Sequence, residues 1–160
     1  MSVDMFLKIG DIKGESLDHA HKDSIDVLAW SWGMSQSGSM HGGGGGGSGK
    51  VTVQDLSITK YVDSASTNLQ LKCCNGKHYE EALLTVRKAG ETPVEYLKIT
   101  LSRVLIGSVS SGGSGGEDRL TENVTLNFAK AKVEYTPQDE TGAAGAVMQY
   151  GWDVAQNTAF

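Results

Sequence analysis

Between Ile25 and Ser37 the chain alternates in size with period two. Leu28, Trp30, Trp32 and Met34 fall on one side of an extended strand, and Val27, Ala29, Ser31 and Gly33 on the other. The side with two indoles is expected to be buried. The small-residue side is expected to stay open to water or to an approaching backbone. A glycine run from Gly38 to Gly49 interrupts the pattern, and Val51 to Thr59 resumes an extended one. This order predicts an antiparallel hairpin with an oversized tip.

The remaining elements follow from the same kind of pattern. Met5, Leu7 and Ile9 share one face of a first strand, and Gly10 to Ser24 reads as a polar connection. Asp63 to Gly76 reads as a helix, with Asp63 or Ser64 as cap, Ala65, Leu69 and Cys73 four residues apart, and Asn75-Gly76 as the left-handed stop. Leu71 lies off that stripe. Strands are expected at Ala82 to Arg87, Val94 to Ile106 and Thr121 to Tyr135. The second of these is expected to bend or change sheets near Arg103, where alternation gives way to Val-Leu-Ile. A second glycine-rich loop runs from Ser108 to Asp118, and Met148, Tyr150, Trp152 and Val154 share a face of a last strand. Seven or eight strands and one helix predict a mainly β fold: a two-sheet antiparallel β-barrel with a side helix and a long glycine-rich hairpin loop.

Composition agrees with that reading. The chain has 160 residues, 21 glycines and 2 prolines, which suits one sheet-rich domain over residues 1–160. A formal charge of -5 without a basic cluster argues against nucleic acid or an anionic membrane as partner. Cys73 and Cys74 are adjacent, which disfavours a bridge between them and is read as two reduced thiols. One is expected to face the core and the other solvent. The first ten residues lack the basic and long apolar regions of a cleavable signal peptide, and no run approaches the roughly 20 apolar residues of a membrane span. Synthesis in the cytoplasm is expected, with any export by a route that reads no cleavable leader.

Candidate chemistry is sparse. Gly44 to Lys50 approaches a phosphate-binding loop, but Val51 follows the lysine where that motif needs Ser or Thr, and the next element is a strand instead of a helix. His19 and His21 form a spaced pair with nothing to complete a metal site, so they are read as solvated loop histidines; His41 has no visible partner. No nucleophile, base and orienting acid assemble, and no serine sits in a Gly-x-Ser-x-Gly elbow. No enzyme, metal or cofactor is expected. The two glycine-rich loops, too flexible to hold themselves, favour ordering by a neighbouring copy. The competing reading is a monomeric β-barrel binding module using the small-residue face as a pocket.

Several stretches together resemble the hemolysin-coregulated proteins, the tube-forming proteins of bacterial type VI secretion systems. They are Met5-Phe-Leu-Lys-Ile-Gly-Asp-Ile-Lys-Gly-Glu-Ser16, Ile25-Asp-Val-Leu-Ala-Trp-Ser-Trp-Gly33, Val53-Gln-Asp-Leu-Ser57, Gly76-Lys-His-Tyr79, Glu117-Asp-Arg-Leu-Thr-Glu-Asn-Val-Thr-Leu-Asn-Phe128 and Tyr150-Gly-Trp152. The resemblance runs essentially end to end. It implies a barrel that assembles into hexameric rings, which stack into a hollow tube inside a contractile sheath, capped by a spike protein. It also implies effector proteins carried in the lumen and export without a cleavable signal peptide. By the same resemblance Ser31, with Ala29 and Gly33 beside it, is expected on a lumen-lining strand. Gly42, Gly43, Gly44, Gly45, Gly46 and Gly47 are expected in a loop that reaches toward the next ring.

Overall fold

A computed structural model describes residues 3–38, 50–88, 90, 93–139 and 141–160. The described residues form strands β1 (Val3–Ile9), β2 (Ile25–Asp26), β3 (Ala29–Ser31), β4 (Met34–Gln36), β5 (Val51–Val53) and β6 (Leu56–Tyr61), then helix α1 (Ser66–Asn75). Strands β7 (His78–Lys88), β8 (Val94–Gly112), β9 (Thr121–Tyr135), β10 (Met148–Asp153) and β11 (Thr158–Ala159) follow. Every ladder is antiparallel, and the long strands β8 and β9 are the spine. One half of β9 pairs β10 and the other half pairs β6, while β8 lies along its whole length.

The path β1–β7–β8–β9–β6 closes through the stretch that was expected to be one strand. Ile25 pairs Leu7 of β1, and the Val27 amide donates to Met5 O. One residue on, the Leu28 amide donates to Thr59 O, and β3 pairs β6. The chain is handed from β1 to β6 between Val27 and Leu28, so the single strand breaks into three short pieces and its alternation is reset. Val27, placed by sequence on the open side, is buried, and Leu28, placed on the buried side, is 41% exposed. Trp30 and Trp32 are only half-buried against the core, and Met34 is exposed.

Other expectations hold with shifted boundaries, except that Ser108 to Gly112, read as the start of the second glycine-rich loop, continue β8 and pair β9. β4 and β5 form the stem of the expected hairpin, Met34 opposite Val53 and Gln36 opposite Val51. β8 kinks where sequence placed the bend: Arg103 has φ 56 and a register shift follows between Ile106 and Ser108. α1 begins three residues later than expected; the Ala65 amide at its start donates to Asp63 Oδ1 at 2.9 Å, and the helix ends at Gly76 in the left-handed conformation. Leu69 is fully buried, Leu71 is exposed, Cys73 is half-buried and Cys74 is exposed. The barrel interior holds Leu7, Ile9, Leu56, Ile58, Leu101 and Leu126, each essentially inaccessible.

The connection between β1 and β2 is more ordered than a solvated polar loop. The Gly14 amide donates to Asp23 O and Ser16 to Ser24 O. Gly14 packs so closely on Ile25 that a Cβ would meet backbone. His19 is exposed as expected. His21 is not: its side chain is 16% exposed, and it stacks on Phe6 with ring centroids 4.5 Å apart.

Candidate functional site

The alternation of β6 and β9 places Leu56, Ile58, Val124 and Leu126 inside and leaves the intervening positions outside. Cross-strand partners share a face. Ser31 of β3 pairs Ser57 of β6, Ser57 pairs Thr125 of β9, and Thr125 pairs Ser108 of β8. A parallel row runs Ala29, Thr59, Asn123, Ser110. These eight residues make a sheet face without one charged side chain. Ala29, Ser31, Ser108, Ser110 and Asn123 are exposed, and Ser57, Thr59 and Thr125 are half-exposed. Ser108 Oγ and Thr125 Oγ1 lie 2.7 Å apart, and Thr59 Oγ1 donates to Asn123 Oδ1 at 2.8 Å. Asn127 Nδ2 donates to Asp55 Oδ1 at 2.9 Å at the edge of the face.

Of the three residues singled out by sequence on the small-residue side, Ala29 and Ser31 stand on this sheet face. Gly33 lies just beyond β3, where its carbonyl accepts from the Gln54 amide and a Cβ would press on the Gln54 carboxamide. Gly42 to Gly47 lie outside the described residues. Sequence reasoning missed Ser57, Thr59, Asn123, Thr125, Ser108 and Ser110. The signal was present in Leu56-Ser-Ile-Thr and Asn123-Val-Thr-Leu-Asn: the polar positions of two alternating runs are uncharged, unlike the Lys and Glu usual on a solvated strand.

The indole side of the same segment makes a second feature. Trp32, Met34, Val51, Val53, Tyr150 and Trp152 line an apolar cleft of about 260 Å³ between the hairpin stem and β10. Trp32 Nε1 donates to Gln54 O at 2.8 Å, which fixes the indole at the cleft wall. Tyr150 burial raises its phenol above the ordinary range.

Beneath the hydroxyl face lies a buried ionic cluster. Lys60 occupies a core-facing position of β6 and is fully buried opposite Glu122 of β9. Its ammonium donates to Glu122 Oε1 at 2.5 Å, Asp63 Oδ1 at 2.8 Å, Tyr61 O at 2.9 Å and Ser66 Oγ at 3.2 Å. Ser111 Oγ donates to Glu122 Oε2 at 3.1 Å. Burial alone would push the Glu122 carboxyl up, but the hydrogen bonds from Lys60 and Ser66 and the Lys60 charge hold it below the ordinary range. Through Asp63 and Ser66 the cluster ties the start of α1 to the barrel wall. Although Ser66, Lys60 and Glu122 are in contact, their burial denies a substrate any approach.

The sequence and the fold match a family. The model of the type VI secretion system effector, Hcp, matches residues 6–135. The chain belongs to the Hcp family. Protein hcp1 of Pseudomonas aeruginosa is 67% identical over 159 residues, spanning 98% of each chain. The crystal structure of Hcp1 from Salmonella typhimurium covers 100% of both chains, with a TM-score of 0.84 and 41% identity. A solved structure described as a type six secretion system protein covers 99% of this chain and 100% of its own, with a TM-score of 0.94 and 28% identity. Hcp membership accounts for the mainly β, antiparallel architecture with one helix. Among the described residues, no cluster of His, Cys, Asp and Glu could hold a metal, and no helix is long and apolar enough to cross a membrane.

Proposed function

We propose that this chain is the tube subunit of a type VI secretion system, that it closes into hexameric rings which stack into a hollow tube, and that the Ser31 face lines the lumen and meets effector cargo. The observation that carries the reading is the charge-free hydroxyl and amide face on β3, β6, β9 and β8. Small neutral groups can hydrogen-bond a passing protein surface, yet each bond is worth only about 0.5–1.5 kcal/mol net. Such a wall holds cargo without trapping it. The hairpin stem, a ladder separate from the main sheet, fits a loop that reaches the next ring through Gly42 to Gly47. Spike protein and sheath are the further partners.

Sedimentation or light scattering, with negative-stain images, tests the assembly. A species of about six times the 17.0 kDa chain mass, seen as annuli with a central hole, is expected. The apolar cleft beside Trp32 favours a second reading, a monomeric binding module whose pocket lies on the indole side and not on the small-residue side. A monomer at high concentration would select it.

A further inference from the structure

Beyond its two neutral rows the hydroxyl face has a third, and that row carries a charge. Asp55, just before β6, shares the outward phase of Ser57, and Asn127 of β9 shares that of Thr125. Asn127 Nδ2 donates to Asp55 Oδ1 at 2.9 Å, which leaves Oδ2 free of that bond. Across from them β8 bulges: Ile106 pairs Leu126 and Ser108 pairs Thr125, so Gly107 is the extra residue between two consecutive partners. A Cβ at Gly107 would lie 3.1 Å from Thr125 Oγ1 and 3.5 Å from Asp55 Oδ2.

Gly107 does not have a positive φ, so its backbone would accept a side chain. What the glycine supplies is room: any larger residue would lie over the carboxylate oxygen that Asn127 leaves open. Asp55 is half-exposed and joins no ion pair among the described residues. Of the cations nearest along these segments, Lys60 is held in the buried cluster and Lys130 pairs with Asp153. Lys50 and Arg103 are exposed and do not pair with it. The oxygen is an acceptor aimed at whatever passes the face, with a full charge behind it and no cation of this chain in contact.

Resting on the reading that the Ser31 face lines the lumen, we propose that Asp55 is the charged contact of that wall and takes the guanidinium or ammonium head of an arginine or lysine on the cargo. Charge-assisted hydrogen bonds are the strong ones, and Asn127 already fixes the plane of the carboxylate, so little side-chain freedom is lost when a cation docks. Water still reaches the pair, and salt screens it. The contact therefore biases the wall toward cargo with basic groups without locking it in place. Gly107 is the specificity-determining neighbour, because its missing side chain keeps Oδ2 accessible.

Two fluorescent glycine–serine peptides serve as probes, alike except that one carries an arginine where the other carries its neutral isostere, citrulline. Fluorescence anisotropy follows their binding to purified rings at low salt. Wild-type rings are expected to bind the arginine peptide about threefold more tightly, with the difference lost at high salt. Asp55→Asn keeps an acceptor for Asn127 and is expected to bind both peptides alike. Gly107→Val keeps the carboxylate but covers its free oxygen, and the same loss of preference is expected. Unchanged ring mass in light scattering reports that the variants fold and assemble. Equal binding of the two peptides by wild-type rings, or an arginine preference that survives in Asp55→Asn, overturns the proposal. Ser31→Trp separates it from the lumen reading: equal wild-type binding that Ser31→Trp abolishes sinks the Asp55 contact alone, whereas an arginine preference and total binding that Ser31→Trp leaves untouched sink the lumen assignment and keep the contact.

Discussion

Replacing Lys60 with methionine tests the energetic centre of the fold. Methionine fills the aliphatic stem of the lysine, so no large cavity opens and the change isolates the ammonium. That ammonium has four oxygen partners at 2.5–3.2 Å and no solvent exposure. Without it Glu122 stays buried, with Ser66 and Ser111 as its remaining donors. Removing one partner of a buried pair costs about 3–5 kcal/mol. With a urea dependence of roughly 2 kcal/mol per molar, the midpoint should fall by about 1.5–2.5 M. Tryptophan fluorescence follows the transition, at fixed protein concentration because the proposed assembly would add to apparent stability. The double variant Lys60→Met, Glu122→Leu removes both charges and should regain more than half of the loss. The sign of the pH effect follows from the lowered Glu122 carboxyl: its contribution is present above the ordinary glutamate range and is lost as pH falls through the depressed folded value. The double variant should lack that acid-labile component. A loss below about 1 kcal/mol for Lys60→Met, or a double variant no more stable than the single one, would refute the reasoning.

Three further outcomes are expected. Tyr79→Phe removes a buried phenol oxygen that has no hydrogen-bond partner among the described residues, so the thermal midpoint should stay level or rise; a drop of several degrees in calorimetry would show that the hydroxyl is bonded. Gly10→Ala places a Cβ against the Tyr79 ring at a residue with φ +48, and equilibrium unfolding should report a loss of about 2–4 kcal/mol. Ser31→Trp changes an exposed position of β3 and should move stability by no more than about 0.5 kcal/mol, while the fraction of effector retained on purified rings falls sharply. Unchanged retention would remove Ser31 from the cargo surface.

Much of the architecture is legible in local pattern. Period-two alternation locates β1, β6, β9 and β10, the left-handed stop at Gly76 ends α1 where expected, and the loss of alternation after Arg103 marks the kink in β8. These signals need only neighbouring residues, because side-chain period and turn conformation are properties of a few consecutive peptides. Sequence also carried, unread, a hint of the ionic cluster: Lys60 and Glu122 sit in the core phase of two alternating strands, where an isolated charge would be expelled.

Tertiary structure decided the rest, since pairing joins residues that local pattern cannot relate. Lys60 and Glu122 are 62 positions apart, and Asp55 and Asn127 are 72 apart. The hydroxyl face exists only because register aligns Ser31, Ser57, Thr125 and Ser108 from four strands. The handover from β1 to β6 at Val27 and Leu28 overrode an unbroken alternation, because closing the barrel requires that segment to satisfy backbone hydrogen bonds on two different strands. Local propensity sets which residues extend. The partners available around a closed sheet set which way each of them faces.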